Sequence, residues 1–269
     1  MSKTIAIAGL GWLGKPFAIW LQTIGYLVRG SVTSLEKATA LQKSGFNAFH
    51  VEISETGVSG SVSAFLSEAD YLVIMIPPGL RRNTGANYIL KMNHFLTEIE
   101  KTSVAKVILV SSTSVYDDTQ ERVTEKTEPK PAGLAGKQLM EVERLFFSSE
   151  KIQTSIVRFG GLFGGSRQPV RFLAGRENLM DGNAPVNLIH RGDCIGILTE
   201  IIKQNAFGHI FNAVNPEHPF KKVYYSKKAR EFELDPPQFA DPEVGEVFKT
   251  VDSENIKQLL KYQFKHPLL

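Results

Sequence analysis

With 269 residues and 42% hydrophobic side chains, the chain carries enough apolar material for a large α/β core and lacks the polar bias of a disordered protein. Its net charge of +3, from 31 basic against 28 acidic residues, contains no long Lys/Arg stripe, which argues against nucleic acid as a partner. One cysteine, Cys194, excludes an intrachain disulfide, and no apolar run is long enough to span a bilayer.

The first predicted strand, residues 4–8, runs directly into Gly9-Leu10-Gly11-Trp12-Leu13-Gly14. This spacing between a strand and a helix suits a dinucleotide pyrophosphate. Gly9 permits the tight turn, Gly11 lets backbone approach phosphate, and Gly14 lets helix and strand pack closely. Trp12 and Leu13, opening the helix, offer N–H groups to the anion. Leu13, Phe17, Leu21 and Ile24 then recur at helical spacing, with Pro16 tolerated in the first turn.

Further strands are predicted at 26–32, 48–53, 71–76, 106–111 and 155–159, each short and mostly apolar, as in a parallel sheet covered on both faces. The clearest helices between them run over 84–101 and 137–149. Right-handed crossovers make this a Rossmann-type doubly wound parallel sheet. Beyond Gly164 the pattern loosens. Short strands are expected at 187–190 and 209–212, with a helix over 193–203 between them and Asp193 as its N-cap. Two more helices follow at 221–234 and 253–261, separated by Asp235-Pro236-Pro237. The expected division is a dinucleotide-binding domain over 1–165, with 187–214 returning to it, and a smaller substrate domain over 166–269.

In such folds an acid at the end of the second strand usually accepts the ribose hydroxyls of NAD. Here that region reads Val28-Arg29-Gly30-Ser31-Val32-Thr33-Ser34, with no acid before Glu36. Ser31, Thr33 and Ser34, helped by Arg29 or Lys37, can donate to a 2′-phosphate, so NADP is favoured over NAD. Pro77 and Pro78, after the fourth strand, are expected to line the same crevice.

A longer ordered series carries a resemblance. It comprises Ser111-Ser112-Thr113-Ser114-Val115-Tyr116, Glu125, Pro129, Lys137 with Glu141, Arg158-Phe159-Gly160-Gly161-Leu162-Phe163-Gly164, Asn187 to His190, Asp193 and Phe211-Asn212. Together these resemble an extended short-chain dehydrogenase/reductase of the NAD-dependent epimerase/dehydratase family, over nearly the whole chain. The glycine loop and the Ser111–Tyr116 run are similar to a divergent bacterial branch, the YeeZ-like proteins. With no spanning segment and no signal-peptide pattern, a soluble cytoplasmic protein is expected, and the resemblance implies one that binds NAD(P) and acts on a nucleoside-diphosphate sugar or a related small molecule. It also implies a homodimer formed through the helices at 84–101 and 137–149.

In that family a Ser, a Tyr and a Lys do the chemistry. Ser112 matches the serine and Lys137 the lysine that holds the nicotinamide ribose. The tyrosine belongs four residues before Lys137, where Gly133 stands. Tyr116 is the candidate replacement among the phenols, and His190 titrates in a useful range. Ser111 and Gly161 complete the expected cofactor set. Thr113, Arg171, Asn187 and His190 form the expected substrate set, with Arg167, Arg176 and Arg191 as further guanidiniums within reach of a diphosphate or carboxylate. No His/Cys/Asp/Glu grouping has metal-ligand spacing, so no metal is expected. A dinucleotide-binding redox sensor without turnover is the competing reading, because binding needs the glycine loop and not the missing phenol.

Overall fold

A computed structural model describes residues 2–79, 85–242 and 245–269. In chain order the first half contains β1 (Thr4–Ala8), α1 (Gly14–Thr23), β2 (Leu27–Val32), α2 (Leu35–Lys43), β3 (Ala48–Ser54), β4 (Gly57–Gly60), α3 (Val62–Leu66), β5 (Tyr71–Ile74), α4 (Tyr88–Ile99) and β6 (Lys106–Ser112). The second half contains β7 (Arg122–Val123), α5 (Leu134–Phe147), β8 (Gln153–Phe159), β9 (Gly161–Phe163), β10 (Leu188–His190), α6 (Arg191–Lys203), β11 (Ile210–Ala213), α7 (Lys221–Glu231), β12 (Thr250–Val251) and α8 (Glu254–Gln258). The expected start of the helix at Thr84 lies outside the described residues; α4 takes its N-cap from Asn87, whose side chain accepts the Leu90 N–H.

The main sheet has eight strands in the order β11-β8-β6-β5-β1-β2-β3-β4. Every pairing is parallel except the last, where β3 turns back into β4 as an edge hairpin. The order reverses at β1, so β1 and β5 diverge to opposite sides and leave a crevice beyond their carboxyl ends. That is where ligands bind in open α/β sheets.

Strand alternation divides the core. Ile5, Ile7, Ile108 and Val157 face α1 and α6 and bury Phe17, Leu21, Cys194, Ile197 and Leu198. Ala6, Leu72, Val107 and Leu109 face the other layer, with Phe95 of α4 and Leu139, Val142 and Phe146 of α5. The covered sheet explains why its strands read as nearly continuous apolar runs. A third, smaller cluster joins Val170, Val186, Leu188, Tyr224, Tyr225 and Ala229 outside the main sheet. There β10 pairs with β9, while β11 returns to the main sheet beside β8.

Candidate functional site

The loop after β1 is built around close backbone contacts. Gly9 has φ +107°, a conformation that side chains resist. A Cβ on Gly14 would lie 2.1 Å from the Gly9 carbonyl oxygen, so helix and loop meet only because Gly14 has none. Around Gly11, by contrast, an added Cβ meets nothing within 4 Å. The Leu10 N–H is held by the Ser31 carbonyl (2.9 Å), and Leu10 packs into the space left by Gly30. The N–H groups of Gly11, Trp12 and Leu13 find no acceptor among the described residues. A turn with unpartnered donors, an α-helix N-terminus and open space in front fits a dinucleotide pyrophosphate.

At the end of β2 the hydroxyls divide. Ser31 is buried, Thr33 is exposed, and Ser34 caps α2 by accepting the Lys37 N–H at 3.3 Å. Arg29 does not assist them. Its guanidinium donates to the Ala64 and Ser67 carbonyls at the end of α3 and pairs with Glu68, so only Lys37 of the two expected cations stays near this edge. On the neighbouring strand Pro77 and Pro78 follow β5, at the same end of the sheet as the glycine loop.

The consecutive serines at the end of β6 point to opposite faces. Ser111 is buried and donates to Glu143 of α5 at 2.5 Å. Its expected contact with the cofactor is therefore corrected: the hydroxyl belongs to a buried network. Glu143 pairs with Arg158 through both carboxylate oxygens, with a closest contact of 2.6 Å. Arg158 Nη1 donates to the Tyr116 hydroxyl (2.6 Å), which donates onward toward the Thr124 carbonyl (2.9 Å) and lies 3.2 Å from Asn212 Oδ1. Tyr116 is thus removed from the catalytic set. Its phenol is 1% exposed, and burial pushes its pKa up against the pull of Arg158 and Asn212.

Ser112 lies on the other face, half-buried, with Oγ accepting the Ser114 N–H (3.2 Å) in the helical turn Thr113–Val115. Its capping role leaves the hydroxyl proton free to donate. Thr113 in the same turn is buried. The N-terminus of α5 abuts this turn, since a Cβ on Gly136 would lie 2.3 Å from the Ser114 carbonyl oxygen. That approach brings Lys137 and Gly133 to the Ser112 turn. Lys137 is exposed and without a partner among the described residues; Glu141 pairs with Arg144 instead (3.0 Å). Gly133 is the N-cap of α5 at φ −81° and ψ 152°, with open space where a side chain would stand.

Three more expected residues are displaced by local bonding. The Asn187 amide donates to the Lys249 carbonyl and accepts the Val251 N–H, both at 2.9 Å, so it fastens β12 rather than facing a ligand. His190 is the N-cap of α6, its Nδ1 accepting the Gly192 N–H (3.1 Å) and its ring 3.8 Å from that of His266. Asp193 is not the N-cap; fully buried, it accepts from Tyr262, Lys265 and His266 and pins the C-terminal segment. Arg171 lies exposed on the turn Pro169–Phe172, its guanidinium 5.4 Å from the Phe232 ring. Gly161 opens β9 with its N–H on the Asn187 carbonyl, and burial keeps the Cys194 thiol neutral, well above its ordinary pKa.

Sequence reasoning missed the Glu143–Arg158 pair, although an arginine inside the apolar strand Ser155-Ile156-Val157-Arg158-Phe159 signals a buried acid. It also missed Gln138, whose side chain accepts the Tyr88 N–H and donates to Ala86, tying α4 to the start of α5. Among the described residues no metal-holding group occurs and no helix is long and apolar enough to cross a membrane.

The strand order defines a doubly wound, Rossmann-type fold, with the glycine loop and the Ser112–Lys137 turn at the carboxyl ends of its strands. Solved structures agree. UDP-N-acetylglucosamine 4-epimerase from Bacillus cereus superposes with TM-score 0.80 at 16% identity, over 99% of this chain and 93% of that one. MoeE5 in complex with UDP-glucuronic acid and NAD gives 0.79 at 17%, over 99% and 95%. No family model matches the sequence. Protein YeeZ of Escherichia coli K12 is 34% identical over 266 residues, 98% of this chain and 97% of its own length. The chain belongs to the YeeZ family.

Proposed function

We propose that this protein binds a nicotinamide dinucleotide, NADP or NAD, at the Gly9–Gly14 loop and acts as an oxidoreductase or epimerase on a hydroxylated small molecule of the sugar-nucleotide class. The observation that carries the reading is the cradle itself, in which, among the described residues, the N–H groups of Gly11, Trp12 and Leu13 are unpartnered and the space in front of Gly11 is clear. Fold neighbours solved with NAD and with UDP-glucose or UDP-glucuronic acid support the same ligand classes. NADP is favoured because no acid stands at the end of β2 to select NAD, and the exposed Thr33 and Lys37 remain to meet a 2′-phosphate.

The bound nicotinamide would supply the hydride acceptor or donor. Lys137 would hold its ribose, and Ser112 would donate to the substrate oxygen. Pro77, Pro78 and Gly161 would wall the cofactor crevice, Arg171 would reach the substrate from the exposed turn, and Thr113, being buried, would support the Ser112 turn behind it. Residues 1–165 with 187–214 would form the dinucleotide domain, joined by residues 254–264, whose Ile256 and Leu260 pack into its core beside α1 and α6, and the rest of 166–269 the smaller substrate domain, in a cytoplasmic homodimer paired through α4 and α5.

One observation favours a second reading, a redox sensor that binds without turnover. The phenol position is empty at Gly133, and the hydroxyl of Tyr116 is committed to Arg158 and Thr124. Calorimetric titration with NADPH and NADH, then a panel of UDP-sugars followed by nicotinamide absorbance, separates the readings. Micromolar binding with slow turnover supports the enzyme. Binding without turnover on any substrate supports the sensor, and absence of binding by both dinucleotides overturns both.

A further inference from the structure

Two arginines from segments outside the main sheet converge on the glycine loop. Arg167 closes a tight turn through reciprocal backbone bonds, Gly164 N–H to the Arg167 carbonyl (2.8 Å) and Arg167 N–H to the Gly164 carbonyl (3.1 Å). Its guanidinium carbon lies 5.6 Å from the Trp12 ring centroid. Arg191 opens α6, and its guanidinium carbon lies 5.2 Å from the same ring. The turn is shaped for this. Gly165 stands at φ +55°, and a Cβ there would come within 2.5 Å of the Arg191 guanidinium.

Neither arginine has an acidic partner among the described residues. Asp193, two positions from Arg191, is fully buried and taken by Tyr262, Lys265 and His266. The Trp12 Nε1–H is itself buried without an acceptor among the described residues. Two cations gathered on one indole repel each other, and the α1 N-terminus adds further positive potential at the same place. Attraction to the ring face contributes only about 0.5–1 kcal/mol per guanidinium at such exposed sites. The arrangement lacks an anion, and paired guanidiniums match phosphate oxygens in geometry as well as charge.

We propose that Arg167 and Arg191, seated on Trp12, clamp the diphosphate of the bound dinucleotide from the side opposite the loop N–H groups, so that residues beyond β8 and the glycine loop grip one ligand. This rests on the dinucleotide reading above and adds residues that the glycine loop alone does not predict. It also gives Trp12 a purpose that Phe17 or Leu21, buried in the same helix, do not share: it is the platform on which the cations are held.

The test uses the full chain carrying Trp20→Phe, which leaves Trp12 as the reporting indole. NADPH, ADP-ribose, inorganic pyrophosphate and UDP-glucose are titrated into this protein and into Arg167→Gln, Arg191→Gln and the double variant, with Arg230→Gln as an exposed control. The expected result is a loss in affinity for NADPH and ADP-ribose of about tenfold per guanidinium, the low end for a charged hydrogen bond. Arg→Lys at either position should restore part of it, and Arg230→Gln should change nothing. Pyrophosphate, which has no chromophore, should alter Trp12 emission in the parent and not in the double variant. Equal NADPH affinity across all variants would overturn the clamp while leaving the cofactor reading intact. A loss confined to UDP-glucose would also overturn it, by moving the arginines to the substrate's diphosphate. If the parent binds no dinucleotide, both proposals fall.

Discussion

Ser111 and Ser112 are neighbours in the chain, yet they open onto two polar regions of opposite character. On the Ser111 side every group is buried and bonded: Glu143, Arg158, Tyr116 and Asn212 form a continuous chain of contacts inside the core. On the Ser112 side the groups are open: among the described residues Lys137 is exposed and without a partner, and Gly133 leaves a side-chain-sized space. One region is stabilised by satisfied hydrogen bonds; the other has unused valence waiting for a ligand. The difference shows why a phenol close to Ser112 in sequence is a poor substitute for one in the proposed site. The strand's two-residue period assigns each side chain to a face before chemistry is considered.

The largest effect should come from breaking the closed region. Glu143→Ala leaves Arg158 charged, 3% exposed and without its carboxylate. A loss of about 3–5 kcal/mol is expected for an orphaned buried charge, read from urea unfolding. The double replacement Glu143→Leu with Arg158→Met should recover much of it, because an apolar pair carries no desolvation cost. If Glu143→Ala unfolds at the same urea concentration as the parent, the network is not the structural element described here.

The open region is tested by filling it. Gly133→Tyr places a phenol where nothing lies within 4 Å of the new Cβ, at a backbone conformation any residue adopts. Stability should change little, since glycine gives up its N-cap position without a side-chain hydrogen bond. Turnover should rise by about 10²–10⁴-fold, the usual contribution of a positioned acid–base group. A folded Gly133→Tyr protein that binds dinucleotide yet shows no gain on the same sugar-nucleotide panel would favour the sensor.

Tyr116→Phe separates the two regions directly. The substitution deprives Arg158 Nη1 of its acceptor in a buried site, a cost of about 1–3 kcal/mol. Ligand affinity and any turnover should stay at the parent level when measured well below the unfolding midpoint. Loss of turnover with unchanged stability would return Tyr116 to the catalytic set.

Much of the frame was legible because it depends on local patterns. The six strands expected before residue 160 all form, within two residues of their predicted ends, and the helices after 84 and 137 appear as α4 and α5. The β4 hairpin was not visible, since Gly57-Val58-Ser59-Gly60 has one apolar residue and turns on glycines at φ +141° and +87°. The glycine loop was legible for a different reason: its role is carried by backbone, which residue type alone reveals. Side chains that answer to distant partners were not. Asn187 meets residues 249–251 and Tyr116 meets Asn212, and no sequence period announces contacts across 62 to 96 positions.

The smallest effect is a pH dependence from the closed side of α6. Burial, reinforced by the neighbouring His266 and opposed by Asp193, lowers the His190 pKa below its ordinary value of 6.5. The structure agrees with the neutral ring, because Nδ1 must keep its lone pair to accept the Gly192 N–H. Between the folded and unfolded pKa values the unfolded chain binds more protons, so stability rises with pH through that window and is lost progressively as pH falls below about 6.5. His218, lowered chiefly by burial, contributes in the same direction. His190→Asn keeps a capping acceptor and removes the titration, so its urea midpoint should depend less on pH between 7 and 5.5 than the parent's. An unchanged slope would mean that His190 titrates alike in the folded and unfolded chain, and would remove it as a source of the pH dependence.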